Sequence, residues 1–363
     1  MPIRTADAFR AILILALLPM LGACAQLAYY AQLAQGQVQV LAKRESIDKI
    51  IGDESRDAKL RERLRMVKLA RRFAVDQLAL PDNQSYSQFT ALDRPYVLWN
   101  VLATPELSLK AVESCFPIAG CLAYRGYYQK QDALKQVVAL RDQGYDADWV
   151  GVPAYSTLGW FDDPLLSSMM HWGDDALIAT LFHELAHQQL FVRNDTAFNE
   201  SFASFVEQEG LRQFLAAQGR SDAAARLRRK QRRQFAALVL DARHRLSEGL
   251  DNPQMSKAEK RDFKQEVFRQ LRGDYLRWRD QQWNGSTRYD FWFERPLNNA
   301  RLLPFELYDG WVESFERLFQ DSGHQWPRFH AAAKALGKRS PQQRTQALRR
   351  LKQSAASARI KPQ

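Results

Sequence analysis

Two histidines four residues apart, with a glutamate directly after the first, open the stretch "HELAHQQLFVRNDTAFNESFASFVEQEG" at residues 183–210. On a helix, side chains at this spacing stand one above the other. His183 and His187 can therefore grip one zinc ion through their ring nitrogens, and Glu184 follows on the same turn. An ion held there lowers the pKa of a bound water towards about 7, and a neighbouring carboxylate can take its proton as it attacks a carbonyl. That chemistry needs a carboxylate at position 184.

A catalytic zinc site takes a third protein ligand and leaves one position for water. If residues 188–192 continue the first helix and "RND" turns the chain, residues 196–200 return antiparallel and bring Glu200 level with His187. Asp195 is then the N-cap of the second helix. Glu207 lies two turns further along the same face, where it either holds a histidine as an outer-sphere partner or remains a solvated or ion-paired carboxylate. The bland alternative is a pair of amphipathic helices carrying these letters by chance. Against it, His183, Glu184 and His187 sit inside "ALIATLFHELAHQQLFV", and such groups are costly to bury without polar partners. His171 could approach the site or lie on the surface; His244, His324 and His330 have no ligand-like spacing.

The elements that must position these groups read as α+β, mostly helical, with a small mixed sheet packed against the zinc-binding helix hairpin. Residues 26–80 suggest two helices, the second in "RERLRMVKLARRFAVDQLAL". "RPYVLWNVLATPELSLKA" reads as strands, and a helix near 129–143 ends at Gly144. Residues 146–164 form a strand leading to a turn, and a helix from about Asp174 runs through the motif. Residues about 211–280 form a charged helical hairpin inserted in a single domain spanning 24–340. A helix from about Asn298 closes the core, and residues 341–363 are a basic tail open to disorder.

Arg4 and Arg10 precede the apolar run "AILILALLPMLGAC", which is short for a membrane span. Its end, Leu21-Gly22-Ala23-Cys24, is similar to the lipobox of bacterial lipoproteins. In that family Cys24 carries the lipid and residues 1–23 are removed; an ordinary secretory signal cut near Ala23 is the alternative. Ala25 after the cysteine favours the periplasmic face of the outer membrane. Cys115 and Cys121 remain, and an even pair six apart in an exported chain reads as a disulfide. The formal net charge of +11 is concentrated in "RLRRKQRRQ" (226–234) and in "GKRSPQQRTQALRRLKQ" (337–353). No aromatics interleave with the first run and an exported chain meets little nucleic acid, so nucleic acid is not the expected partner. A solvated helix face or attraction to anionic lipid headgroups remain.

"HELAH" followed by "FNESFASFVE" resembles the gluzincin zinc metallopeptidases, whose aminopeptidase branch carries Asn-Glu-Gly-Phe-Ala-Ser-Tyr-Val-Glu at the second motif. The whole chain, with its lipobox, "CFPIAGCLAYRGYY", "AYSTLGWFDDP" and "LNNARL", resembles the bacterial predicted-aminopeptidase lipoproteins. The resemblance implies a peptide substrate, one zinc ion held by His183, His187 and Glu200, and Glu184 as general base. It further implies a tyrosine or histidine that stabilises the oxyanion. Tyr308 is the candidate, with a packed aromatic as the alternative. "AYSTLGWF" is expected to supply an edge strand that pairs with peptide backbone, or else a plain core strand. The spacer between the motifs is shorter here than in the large gluzincin aminopeptidases, and their Gly-x-Met-Glu-Asn motif, which reads a free α-amine, is absent. The rival from another class is a non-catalytic envelope protein that uses zinc for stability and its basic helices for membrane or partner contact.

Overall fold

The computed structural model describes residues 26–116, 120–155, 157, 161–305 and 310–360. Cys24 and Tyr308 lie outside the described residues, as does most of "YSTLGW". Eleven helices and eight short strands follow one another among those described. Helix α1 covers 26–42, followed by β1 (Arg44–Ser46), α2 (Ile47–Gly52) and α3 (Ala58–Asp76). Residues 26–80 thus hold three helices rather than two, because β1 draws the chain out to pair with β2 (Gln88–Thr90). In α3 the Asp57 side chain accepts from the Leu60 amide at 2.7 Å, satisfying one donor of the first turn. Its Leu64, Val67, Ala70 and Ala74 face the core at three- and four-residue spacing.

The expected small sheet is divided among three. Strand β2 pairs antiparallel with β1 and parallel with β8 (Leu165–Leu166), making the one mixed sheet. The central β3 (Leu98–Pro105) pairs antiparallel with β6 (Arg125–Tyr127) and with β7 (Tyr145–Val152), in register from Leu98↔Val152 to Pro105↔Tyr145. Strands β4 (Ser114–Phe116) and β5 (Gly120–Leu122) form a hairpin whose partners Cys115 and Cys121 are joined in the expected disulfide. Helix α4 (Lys130–Asp142) covers one face of β3 through Ala133 and Val137. Gly144, at φ 85°, turns the chain into β7. Strand β7 ends at Val152, and the described residues of "AYSTLGWF" are not in a strand, so the expected edge strand is not found among them.

The main core gathers α3, α5 (Asp174–Gln189), α6 (Thr196–Ala217), α9 (Val312–Asp321) and α10 (Trp326–Gly337). Phe198, Phe202, Phe205, Phe315 and Phe329 interlock in it, mostly edge to face. His330 belongs to this core: its Nε2 donates to the Leu78 carbonyl at 2.9 Å, and burial pushes its pKa down to about 4. Helices α7 (Ala223–Leu250) and α8 (Lys257–Gln282) form the charged hairpin, closed by a second cluster around Phe235, Leu271, Tyr275 and Phe293. It begins later than 211, since α6 runs on to Ala217.

The segment expected to be a helix from Asn298 is a 3-10 turn, Asn299–Phe305, and α9 starts only at Val312. Polar docking holds that turn down. Asn299 donates to the Glu106 and Ser108 carbonyls, and its amide donates to Asp146, which also pairs with Lys264 of α8. Beside it Asp148, 4 % exposed, pairs with Arg301 and Arg295. Burial holds the Arg301 guanidinium down at about 10, with Asp148 opposing that shift. Removing the carboxylate would strand a buried cation, which typically costs about 3–5 kcal/mol. Asp148→Ala is therefore expected to lower unfolding stability in urea by that amount; a loss under about 1 kcal/mol would show that the bolt is not structural.

The C-terminal segment read as a tail open to disorder is instead helix α11 (Pro341–Ile360). Its sequence is basic but not all solvated. Leu348 is buried and its carbonyl accepts from Ser314 Oγ, while Arg344 is buried and pairs with Asp195 at 2.6 Å.

Candidate metal centre

Helix α5 is apolar nearly all round, with Leu177, Ile178, Leu181, Phe182, Leu185 and Ala186 buried, so it is a core helix rather than a surface one. Asp174 and Asp175 in its first turn suit the positive end of the helix dipole. It ends at Gln189, three residues earlier than the spacing argument assumed. Leu190 is extended (φ −152°, ψ 121°), and an extended residue advances about twice as far as a helical one, so the connection closes regardless.

Asn199 makes that connection rigid. Its Oδ1 accepts from the Val192 amide and its Nδ2 donates to the Val192 carbonyl, both at 2.8 Å. Asp195 caps α6 as expected, accepting from the Phe198 amide at 3.0 Å, and its other oxygen is the one held by Arg344. Further along, Gly210 lets the helices close: a Cβ there would lie 2.7 Å from Leu78 Cδ1 and 3.1 Å from Phe182 Cδ2.

Between the two helices His183, His187 and Glu200 converge, with one ligand-type atom from each lying within 4.8 Å of the others. The two Nε2 atoms are 3.1 Å apart, and Glu200 stands 3.5 Å from His183 and 3.6 Å from His187. Glu207 is on the far side of His183, its Oε2 3.1 Å from Nδ1. A proton on Nδ1 then bonds to Glu207 and leaves Nε2 a lone pair directed at the site. The Nδ1 of His187 is buried without a partner among the described residues.

Three carboxylates face two imidazoles here, so the cluster is short of positive charge. Burial opposes a charge on His183, but hydrogen bonds to Glu200 and Glu207 outweigh it and push the ring up to about 10. Burial, aided by His183, pushes His187 down to about 4, leaving a neutral imidazole. Burial would raise Glu200 and Glu207, yet the bond from His183 holds both below the usual carboxylate range. Glu184 differs. Burial raises it to about 7, and among the described residues it has neither a hydrogen bond nor an ion pair. The donor set, the lone pairs and the charge deficit all fit a divalent cation.

A family model described as "Putative aminopeptidase" matches residues 28–348. The chain belongs to that family. No curated protein and no solved structure matches it.

Around this aminopeptidase-family site stand groups the sequence did not mark. Asp163, buried, accepts from the Thr157 amide and from Gln188, the neighbour of His187, and its charge adds to the upward shift of Glu184. Tyr124 lies within electrostatic reach of Glu200; burial, and then that charge, push its phenol upward and keep it protonated. Arg229 and Arg232 of α7 act on Glu207 from behind. The basic run 226–234 is therefore not merely a solvated face. His171 is exposed, His244 is exposed and pairs with Glu248, and His324 packs on Phe319.

Proposed function

We propose that the protein is a zinc metallopeptidase that hydrolyses peptide bonds, acting as an aminopeptidase. The observation that carries this is Glu184: among the described residues a carboxylate without a hydrogen bond or ion pair, one residue from a His/His/Glu donor set, while Glu200 and Glu207 are both engaged by His183. A site built only for stability has no use for it. His183, His187 and Glu200 would hold the ion, and Glu207 would fix the tautomer of His183. When bound, the ion supplies Lewis-acid chemistry, lowering the pKa of a water and polarising a carbonyl oxygen.

The chain's own groups do the rest. Glu184, lifted to about 7 by burial, accepts the proton of the attacking water and returns it to the departing amine. Tyr124, kept protonated, and Tyr308, beyond the described residues, are the two phenols proposed to hydrogen-bond the developing oxyanion. Membership in the aminopeptidase family favours removal of N-terminal residues. The lipobox-like sequence supports anchoring through Cys24 on the periplasmic face of the outer membrane; among the described residues no helix is long and apolar enough to cross a membrane.

The experiment is a peptide-library digest by the soluble chain from residue 25, read by mass spectrometry. Loss of single residues from free N-termini is the expected pattern. Internal cleavage would overturn the aminopeptidase assignment, and no cleavage with zinc bound would favour a structural role.

A further inference from the structure

Helix α7 carries its basic run past the rear of Glu207, and a cleft opens there. An inner cavity of about 140 Å³ is lined by Glu207, Ala179, Arg228, Arg229 and Arg288. It adjoins an outer cleft of about 570 Å³ that shares Asp175, Arg228 and Arg288 and adds Arg220. The acids of this wall are already divided between arginines. Asp175 pairs with Arg220 at 2.7 Å and only distantly with Arg228, at 3.6 Å. Asp222 pairs closely with Arg226 and stands 3.7 Å from Arg229. Separations of 3.6 Å and 3.7 Å are beyond hydrogen-bonding range.

Arg228 and Arg229 consequently donate no hydrogen bond among the described residues, and Arg288 has no ion pair among them. Arg229 is only 15 % exposed, yet its unbonded donors still reach solvent rather than being sealed off. Burial holds its guanidinium below the ordinary value against the opposing charges of Glu207 and Asp222, and Arg233 and Arg232 press the same way as burial.

We infer that this arginine-walled cleft is an oxyanion-binding site, taking a carboxylate or phosphate group between Arg228, Arg229 and Arg288, with the body of the molecule in the outer cleft. Guanidinium groups suit such anions because their parallel N–H donors match two oxygens at once. Glu207 on the floor repels an anion, so the ligand is held at the guanidinium rim rather than against the carboxylate. Two sources share the chemistry: the terminal carboxylate of a peptide substrate, which rests on the peptidase proposal, and free phosphate, which does not.

The test is isothermal titration of the metal-stripped full chain at low ionic strength with inorganic phosphate. A second titration uses a tetrapeptide with a free C-terminus, and a third its C-terminal amide. Metal-stripped protein does not turn over, so binding is read apart from peptidase activity. Saturable binding of phosphate, or of the peptide acid but not its amide, supports the site and tells which source it serves. Arg228→Ala with Arg288→Ala should then weaken that ligand at least about tenfold, with the circular dichroism spectrum unchanged. Should that pair unfold the chain, Arg288→Gln alone, at an exposed position, should still weaken it several-fold. Absence of saturable binding, equal binding of acid and amide, or affinity untouched by the arginine substitutions would overturn the inference.

Discussion

Glu184→Gln is expected to lower kcat for peptide hydrolysis by about a hundredfold to ten-thousandfold, the usual worth of a general base, while the chain keeps its full complement of zinc. Glutamine matches the shape of glutamate but cannot accept the water's proton. The substitution should also leave the ligands where they are, because Glu184 bonds to none of them. Stability gives it a second, independent signature. The folded pKa of Glu184 is raised to about 7 from an ordinary value of 4.5. A carboxyl raised in this way supports folding below about pH 4.5 and withdraws that support as pH climbs through 7.

In metal-stripped protein the glutamine variant should therefore be more stable than the parent at pH 8 and equal to it near pH 4.5. The gap is at most about 3 kcal/mol, since the side chain keeps some solvent contact. Activity and stability would then move in opposite directions, as they do where a site stores an unfavourable charge for function. A variant retaining more than a tenth of the parental kcat would end the assignment of Glu184 as base.

The convergence of the candidate site's side chains was legible in the sequence because helix periodicity is local. His183, Glu184 and His187 are fixed relative to one another by one turn of α5, and Asp195 and Asn199 announce the return of α6 through capping and turn chemistry. What lay outside that periodicity was not legible. Tyr124 follows a β-hairpin and Asp163 precedes β8, and their nearness to Glu200 and Glu184 depends on tertiary packing that no spacing encodes. The same holds for the C-terminus. Residues 341–360 look like a solvated basic segment until Arg344 is seen buried against Asp195, fastening the turn between the two site helices. The small sheet was foreseen as one and is three, because the pairing of β2 with β8 joins residues more than seventy positions apart.

Zinc is expected to bind at one ion per chain and to raise the melting temperature by roughly 10 °C when free metal exceeds its dissociation constant about a thousandfold, a stabilisation of about 4 kcal/mol. The ligand set makes the linkage to pH specific. Without an ion, His183 is held protonated at about 10 by the carboxylates on either side, while His187, at about 4, is already neutral. A ligand must be neutral to coordinate, so binding near pH 7 should displace one proton, from His183 and not from His187. Affinity should rise with pH across the neutral range, and calorimetry in buffers of different ionisation enthalpy should count that single proton in the Glu184→Gln variant, whose residue 184 has no proton to release. Glu200→Gln should abolish the thermal shift. Glu207→Gln should keep the stoichiometry but weaken affinity about ten- to hundredfold, because it acts through His183 alone. If Glu200→Gln left both stoichiometry and thermal shift intact, the convergence of α5 and α6 on these three side chains would have to be explained without a metal.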